Sequence, residues 1–512
     1  SFMKKNALVV FKCLLISSSF LTAQTGIAAI PDKIQIFPLG NYSQDINNYL
    51  IPTSPDFDSE VITDEIVREK TENYKKHLFG DLSPWSQSFV TNILNQAPPS
   101  DMQNIENNLF QKYKSKCGTT DPTSFAANFK PYPCKWFDEK IAINLNLQQL
   151  AYPISYKKDM RSIATDNINA RGLPTDEPLY YDFKRPGEGY PFDLLQVSTI
   201  WAGSPLYVIG KSKDKAWFLV LTNSGFITWA PSNKIAFTSD SFISKYKDHV
   251  SLFGLRVSTK TEAMVSGEDK KLIFLSYIGS IFPSLKQKNK IIVPVRLHDG
   301  AAKFKTAIIN ENEFPMFPLK PTQRNFSTVI TNLLERPYGW GGLYSYNDCS
   351  QELQSIFTTF GIWLPRNSAS QYPMGKILDL SDLDTEGRIN GLIQHGRKLV
   401  TLVYIKGHIM LYIGNFQNSP WVHNNIWGLR PADSSYRSVI GQSSLIPISS
   451  SYPENPSLIS LADKTNRPKF ILSFLDEENE SKRTKRAVDS DVEVINLEQM
   501  IFPEVLLEGG NF

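Results

Sequence analysis

The chain has 512 residues, too many for one ordinary core, and a soft prior of about 150 residues per domain predicts about three domains. Hydrophobic residues make up 41% and charged residues 21%, which is ordinary globular usage and excludes a mostly disordered chain. The 54 basic and 51 acidic side chains leave a net charge of +3, so we expect no nucleic-acid partner, which would need a basic surplus.

Residues 1–28 have the pattern of an export signal. Lys4 and Lys5 give a positive start, an apolar stretch follows, and small residues up to Ala28 suit a cleavage site. A membrane anchor is the alternative, but the stretch falls short of the roughly 20 apolar residues of a spanning helix. We therefore expect an exported protein, periplasmic or extracellular, with no stable membrane span.

The expected compartment affects how the cysteines are interpreted. Export implies oxidising conditions, in which Cys117 and Cys134, 17 positions apart, either form a disulfide or remain two buried thiols. The sequence leaves both open. Cys349 is then left over, and an odd cysteine in an exported protein is a candidate reactive thiol.

Residues 35–155 predict a small, mainly helical N-terminal domain, which begins as an extended, Pro-rich arm. Pro98 and Pro99 give a break, and Asp101 is a candidate N-cap for the next helix. Two earlier helices are marked by apolar residues at helical spacing. These are Ile66, Val67 and Tyr74 for the first helix, and Trp85, Phe89, Val90, Ile93 and Leu94 for the second.

From about residue 160 the pattern changes to short strands between turn residues, which fits two successive small β-barrels over 156–245 and 246–318. A mixed helix and strand unit follows over 322–475, and 476–512 form a charged tail. The strand-like segments are 206–210, 216–221, 225–230, 272–275, 291–295 and 304–309.

The most informative segment lies around Cys349. A Gly-rich stretch leads to it, and apolar residues at helical spacing follow until Gly361 stops the pattern, so Cys349 stands at the start of a helix. The free N–H groups and dipole there favour a thiolate. Polar Asp348 and Ser350 argue against burial in apolar surroundings. The helical positions are Leu353, Ile356, Phe357 and Phe360.

A thiolate nucleophile needs a base, and the base needs an orienting group. His408 opens a predicted strand and His423 lies in the next one, with a short connection between them. We therefore predict a hairpin, in which the two histidines could be neighbours. No Cys/His spacing matches a zinc site, so we predict neither a metal nor a cofactor.

These segments resemble the NlpC-type cysteine peptidases that cut bacterial cell-wall peptides. The upstream part resembles the multidomain branch of that family, with an N-terminal stabilising clasp and two SH3-like barrels, of which the second is the weaker match. The resemblance rests on residues 338–342, 348–350, 360–362, 364–368, Gln371, 407–414 and His423, and for the first barrel on 171–175 and 190–196.

The resemblance implies an α+β fold with a papain-like catalytic domain after the two barrels and the clasp. It implies that Cys349 is the nucleophile and that His408 accepts its proton and later protonates the leaving amine. His423 would be the third polar residue, which orients the imidazole. The backbone N–H of Cys349 would help to hold the oxyanion.

The resemblance also implies a substrate site. Asp348 and Ser350 match residues that bind a free L-alanine amine, Tyr338 and Trp340 match residues lining the cleft, and Ser368 matches a substrate-contacting serine. The expected cut lies between γ-D-glutamate and a diamino acid in a peptidoglycan stem peptide or muropeptide. The alternatives are core packing for Trp340, a cap or turn for Ser368, and a helix cap for Asp348.

Two rival functions stay open. One is a cell-wall binding module whose catalytic domain is degenerate, and the other is a thiol-dependent amide or acyl transferase. In the first barrel, Asp193 and Gln196 either reach the cleft or form a structural turn. We expect a monomer.

Overall fold

A computed structural model describes residues 33–479. Helices dominate the first part of this range, antiparallel strands the middle, and a mixture of both the last part. The α+β class predicted from the sequence is therefore confirmed. The predicted export signal, 1–28, and residues 480–512 of the predicted tail lie outside the described residues.

The first part consists of an arm and a group of helices. α1 buries Val67, Tyr74 and Leu78 along one face, and Ser86 caps α2 with its side chain. α3 begins directly after Asp101, where the sequence predicts a helix start. The elements are β1 (Ile34–Ile36), α1 (Asp64–Phe79), α2 (Gln87–Leu94), α3 (Met102–Lys114), a π-helix (Trp136–Ala142) and α4 (Ile143–Leu145).

Cys117 and Cys134 form a disulfide. It closes the loop that joins α3 to the π-helix, and this loop carries Tyr132, whose ring stacks on Trp136 at 3.8 Å. The pairing that the sequence left open is thus settled in favour of the covalent link. A cross-link of this kind restricts the unfolded chain, which stabilises a loop with little core of its own.

The next seven strands form one antiparallel sheet with the order β4-β3-β7-β6-β5-β2-β8. The predicted strand segments 206–210, 216–221 and 225–230 lie in or overlap β5, β6 and β7. The strands are β2 (Arg161–Ala164), β3 (Ile168–Arg171), β4 (Gln196–Ile200), β5 (Pro205–Lys211), β6 (Trp217–Thr222), β7 (Ile227–Pro231) and β8 (Ile235–Phe237).

Helix α5 (Asp240–Phe253) leads to a second group of strands, where the sequence predicts the second barrel. They form a four-stranded sheet, β11-β10-β14-β13, and a pair, β12-β9. The predicted segments 272–275, 291–295 and 304–309 match β11, β13 and β14. The strands are β9 (Leu255–Val257), β10 (Ala263–Gly267), β11 (Leu272–Ser276), β12 (Ile281–Pro283), β13 (Lys290–Arg296) and β14 (Ala302–Ile308).

The last unit packs helices on both faces of a sheet. Its helices are α6 (Gln323–Leu333), α7 (Cys349–Thr359), α8 (Ser368–Gln371) and α9 (Thr385–His395). Its strands are β15 (Lys376–Asp379), β16 (Thr401–Ile405), β17 (His408–Phe416), β18 (Ser419–Leu429), β19 (Arg437–Pro447) and β20 (Ile471–Phe474). Short 3-10 turns occur at Leu39–Asn41, Ile46–Asn48, Leu147–Leu150, Lys158–Met160, Ser232–Lys234, Trp340–Ser345 and Tyr372–Met374.

The N-terminal arm completes this sheet. Its order within the described chain is β1-β19-β18-β17-β16-β20-β15, and β1 runs parallel to β19 with Ile34 opposite Arg437. Further along the arm, the Gln44 side chain exchanges hydrogen bonds with both backbone groups of Leu445 at 2.8 and 2.9 Å. The arm therefore pairs with a sheet edge that would otherwise lie open to another chain.

The sheet's two faces belong to different cores. Ile409 and Leu411 share a buried cluster with α6 and α7, whereas Met410 and Tyr412 share one with α9. Alternate residues of a strand point to opposite faces, so this pattern fixes which side chains can approach α7.

A buried carboxylate lies where α3 meets the first sheet. Glu106 accepts a hydrogen bond from Trp229 Nε1 at 3.0 Å, and both side chains are buried. Burial raises the pKa of Glu106 to about 7, and the hydrogen bond from Trp229 only partly opposes the rise.

The Glu106 environment predicts a pH-dependent stability. Since the folded pKa exceeds the ordinary value of 4.5, the protonated form is favoured by folding. The stability it contributes is complete below pH 4.5 and falls as pH rises through about 7. We expect Glu106→Gln to remove the loss of stability that Glu106 causes as pH rises. The melting temperature of the variant minus that of the wild type should therefore be more positive at pH 8 than at pH 4.5. Equal differences at the two pH values, measured by calorimetry, would contradict the assignment.

Candidate active site

Helix α7 places Cys349 in its first turn, as the sequence predicts. Asp348 is the N-cap, and its Oδ1 accepts the backbone N–H of Gln351 at 3.0 Å. Leu353 and Ile356 are buried against the sheet, and Gly361, with φ at +78°, ends the helix. The local pattern of cap, apolar face and glycine therefore positions the thiol.

The thiol itself is buried and neutral. Cys349 is 3% exposed, and burial raises the pKa of its thiol to about 12, with the Asp348 carboxylate adding to the rise. The backbone N–H of Ile409, the Arg366 guanidinium and the backbone N–H of Ser350 oppose the rise without overcoming it. The sequence-based expectation of a thiolate away from apolar surroundings is wrong, because desolvation outweighs the helix dipole here.

The predicted hairpin is confirmed as β17 and β18. Phe416 pairs with Ser419, and the two residues between them, Gln417 and Asn418, have φ values of +54° and +58°. This is the geometry of a two-residue turn that matches strand twist. Further along, Leu411 pairs with His423.

His408 begins β17 and is buried. Its Nε2 lies 3.3 Å from Asn424 Oδ1, and the backbone N–H of the following residue, Ile409, bonds to the Cys349 sulphur. Burial lowers the pKa of His408 to about 3, the Arg467 charge lowers it further, and the contact with Asn424 opposes this. The backbone at the start of β17 therefore contacts Cys349, while the neutral imidazole of His408 contacts Asn424.

His423 has a different partner. Its Nε2 lies 3.1 Å from Glu352 Oε1, and both side chains are buried. Its cross-strand partner Leu411 shares the cluster that contains Cys349, which puts His423 on the α7 face of the sheet. Since strand neighbours alternate, Asn424 belongs to the other face, and it is Asn424 that contacts His408.

Glu352 is the centre of a buried polar network one turn after the nucleophile. Besides His423, its carboxylate accepts from Asn347 Nδ2 at 2.8 Å, from Ser443 Oγ and from Asn425 Nδ2 at 3.5 Å. Asn425 Nδ2 also donates to Asn347 O at 2.7 Å. These bonds fix the turn that leads into Cys349, and they satisfy a carboxylate that would be costly to bury alone.

A buried ion pair lies beside Cys349. The Arg366 guanidinium donates to both carboxylate oxygens of Asp348, at 2.7 and 3.1 Å, and to Ser350 Oγ at 2.8 Å. It also donates to Ser198 Oγ of the first sheet at 2.6 Å and to Gln351 Oε1 at 3.3 Å. Arg366 thereby neutralises Asp348 and links the first sheet to α7.

The first sheet also contacts the Gly-rich loop before α7. Trp340 Nε1 donates to Asp193 O and Gln196 Nε2 donates to Gly341 O, each at 3.0 Å. A Cβ on Gly341 would lie 2.0 Å from Gln196 O, so only glycine fits this approach. Arg171 holds Asp193 and Gln196 from behind, at 2.6 and 3.1 Å. Asp193 and Gln196 thus fasten this loop in place.

The five predicted substrate-binding residues are all buried around this loop and α7, namely Asp348, Ser350, Tyr338, Trp340 and Ser368. Trp340 packs edge to face on Phe192 at 5.1 Å between ring centroids. Burial raises the pKa of Tyr338 well above its ordinary value, and the Asp348 carboxylate adds to this. Ser368 is the first residue of α8, and Gln371 of the same helix donates from Nε2 to Ser350 O at 2.9 Å.

Sequence reasoning missed several residues of this site. Arg366 and Gln371 lie in the segments that carry the resemblance, but no role follows from the pattern alone. Glu352 gave a usable signal, because a carboxylate among the apolar positions of a buried helix needs a partner. Asn424 gave none, since only the strand register separates it from His423.

Two further features bear on the class of protein. Among residues 33–479, no helix combines the length and apolar character needed to cross a membrane. The same residues contain no group of three or more His, Cys, Asp or Glu side chains placed to hold a metal ion.

A helix-borne thiol packed on an antiparallel sheet that carries buried histidines is the arrangement of a papain-like cysteine hydrolase. Two family models match the chain. The SH3 domain model of SH3b1 type matches residues 178–229, and the NlpC/P60 family model matches 335–426.

Among solved structures, an NlpC/P60 endopeptidase from Photobacterium damselae subsp. piscicida is 28% identical, with a TM-score of 0.73. The match covers 87% of this chain and all of that one. These matches support an NlpC-type multidomain protein, with an SH3-like domain upstream of an NlpC/P60 domain.

Other matches are more distant. An NlpC/P60 family protein from Bacillus cereus ATCC 10987 is 18% identical, with a TM-score of 0.36 over 52% of this chain and 81% of that one. NlpC2 from Trichomonas vaginalis is 12% identical, with a TM-score of 0.22 over 60% of this chain and 98% of that one. No curated protein matches the chain.

The neutral, buried thiol predicts slow alkylation. With a thiol pKa of about 12, we expect iodoacetamide to modify Cys349 near neutral pH roughly a hundredfold or more slowly than an ordinary cysteine. The measurement is the rate of Cys349 labelling by peptide mass spectrometry, with the urea-unfolded protein as the reference. Fast labelling with a midpoint below pH 8 would contradict the neutral resting state.

Two substitutions test the roles of His408 and His423 separately. Asn424→Ala removes the partner of His408 Nε2, and we expect kcat to fall about a hundredfold with KM little changed, because the imidazole loses its fixed orientation. Glu352→Gln keeps the shape of the network but removes the carboxylate charge next to His423. We expect it to lower the melting temperature as well as kcat.

The control is His395→Asn, an exposed histidine of the same domain, which should leave both readouts unchanged. Full activity in Asn424→Ala, together with lost activity and intact stability in Glu352→Gln, would assign the base to His423 instead of His408.

Proposed function

We propose that the protein is an exported cysteine endopeptidase that hydrolyses peptidoglycan stem peptides at the bond between γ-D-glutamate and a diamino acid. The observation that carries the proposal is the position of Cys349, in the first turn of α7 against the start of β17, inside the region that matches the NlpC/P60 family. Export rests on the pattern of residues 1–28.

In the proposed reaction, Cys349 is the nucleophile and His408 the base, with His423 and Asn424 as polar residues of the same hairpin. Because thiol and imidazole both rest neutral, the thiol proton passes to the imidazole as the sulphur attacks the carbonyl carbon. The imidazolium then protonates the leaving amine, and water hydrolyses the thioester to free the thiol.

The oxyanion needs donors that already point toward it. The first N–H groups of α7 have no intrahelical acceptor, and Cys349 contributes one of them. The Asp348 side chain takes the N–H of Gln351 and leaves that of Cys349 for the developing charge.

The resemblance adds a preference for a free L-alanine amine at Asp348 and Ser350. An ammonium group would meet a carboxylate whose two oxygens already accept from Arg366. The local charge is therefore balanced before any substrate arrives, which weakens the attraction for a second cation. We therefore propose cleavage of the bond between γ-D-glutamate and the diamino acid without including a requirement for a free amine. The amine requirement is tested separately.

The rival functions predict different products. A binding module would retain cell walls without cutting them, and a transferase would move the acyl group to an added amine in preference to water. The buried thiol with histidines on the facing hairpin favours catalysis over binding alone.

The test is to incubate the protein with L-Ala-γ-D-Glu-diaminopimelate and to follow the products by mass spectrometry. We expect release of the diamino acid, and complete loss of release in Cys349→Ala. His395→Asn is the matched control and should cut at the wild-type rate.

An N-acetylated copy of the same tripeptide measures the amine requirement. Cleavage of the free form alone would support recognition of the amine at Asp348. Similar cleavage rates for both forms would contradict such recognition. Release that persists in Cys349→Ala would overturn the proposal.

A further inference from the structure

Three large aromatic side chains lie exposed on neighbouring loops. Phe129 is 68% exposed, Tyr190 58% and Tyr344 62%. Phe183 and Tyr346 connect them, and we refer to these five residues as the aromatic strip. Exposed apolar area of this kind on an exported protein marks an interaction surface.

Ring contacts make the strip continuous. Phe129 meets Phe183 edge to face at 4.4 Å, and Tyr344 meets Tyr346 at 6.2 Å. The Tyr190 and Tyr344 side chains hydrogen-bond to each other. Gly189, directly before Tyr190, packs so closely on Phe183 that an added Cβ would lie 2.7 Å from its ring, and this contact joins the two halves. The strip therefore runs from the disulfide-closed loop, across the SH3-like domain, to the loop that leads into α7.

The backbone holds two of these rings outward. Phe129 has φ at +66° and Tyr344 at +60°, a region that bulky residues rarely adopt. Such strain persists where the surroundings impose it, and it clusters at ligand-binding sites.

The chemistry of the strip fits a sugar polymer. A pyranose ring presents C–H groups on its faces and hydroxyls around its edge, so it packs on an aromatic ring and hydrogen-bonds to nearby hydroxyls. Tyr190 and Tyr344 supply both kinds of contact. Because the strip crosses three parts of the chain, its ligand is longer than one ring.

The strip ends close to Cys349 along the chain. Tyr344 lies five residues before Cys349, so their Cα atoms are at most about 18 Å apart. In a wall polymer, the proposed scissile bond lies two residues from the sugar, roughly 7 Å of extended chain. This closeness is the reason to connect a glycan on the strip with a stem peptide at Cys349.

We propose that the aromatic strip binds the glycan chain of the cell-wall polymer and that the substrate is a stem peptide still attached to it. This inference rests on the proposed function. The Asp348–Arg366 pair agrees with it, because the alanine nitrogen of an attached stem is an amide and brings no charge to balance.

The test measures binding of peptide-free wall glycan, from which an amidase has removed the stems, to the full-length Cys349→Ala protein by titration calorimetry. We expect binding, and a loss of affinity of about tenfold in Tyr190→Ala and in Phe129→Ala. Tyr152→Ala, which changes an exposed tyrosine outside the strip, is the control and should bind like the parent. Circular dichroism confirms that each variant is folded.

The matching activity assay uses the same strip substitutions in the protein with Cys349 intact. Cleavage of intact wall should fall about tenfold in both strip variants, while cleavage of the free tripeptide should not change. No glycan binding by the parent, or equal binding by the strip variants, would overturn the inference. So would a homodimer that the strip substitutions dissociate while glycan affinity stays the same.

Failure of the two proposals can be told apart. Tripeptide cleavage without glycan binding would support the proposed peptidase activity and contradict the proposed glycan site. Glycan binding without cleavage of either substrate would support the strip as a binding surface and contradict the proposed reaction.

Discussion

The buried ion pair between Arg366 and Asp348 is the interaction on which the site depends. Asp348 caps the helix that begins at Cys349, and Arg366 ties that cap to Ser198 of the SH3-like domain. Removing one partner of such a pair leaves an uncompensated buried charge, typically at a cost of about 3–5 kcal/mol. The pair is therefore better understood as a constraint that sets the position of α7 relative to the upstream domain than as a source of net stability.

The same burial that needs this pair also sets the resting chemistry. A thiol that is removed from water stays protonated even at a helix N-terminus, and the buried imidazole of His408 stays neutral. The thiol is then protected from oxidants and alkylating agents. Charge separation is delayed until a substrate carbonyl and the helix N–H groups can stabilise it, which links reactivity to substrate binding.

Local patterns in the sequence were enough to predict the helix that starts at Cys349, the hairpin that carries His408 and His423, and the strands of the upstream domains. They could not assign partners to the histidines. A strand residue's face depends on register, and the shift between Tyr412 and Gly414 sets which of His423 and Asn424 shares a face with His408. The charge balance at Asp348 was hidden for a similar reason, since Arg366 reaches it only through the fold.

The upstream domain explains why the loop before α7 is rich in glycine. Gly341 lets the backbone of Gln196 approach, and the Trp340 indole is fixed to Asp193. This attachment leaves Tyr344 exposed beside Tyr190 of the upstream domain. One contact between two domains thus orders the loop into the nucleophile and builds the aromatic surface next to it. A change in the upstream domain would alter catalysis and substrate choice together, which is the expected result when specificity is built at a domain boundary.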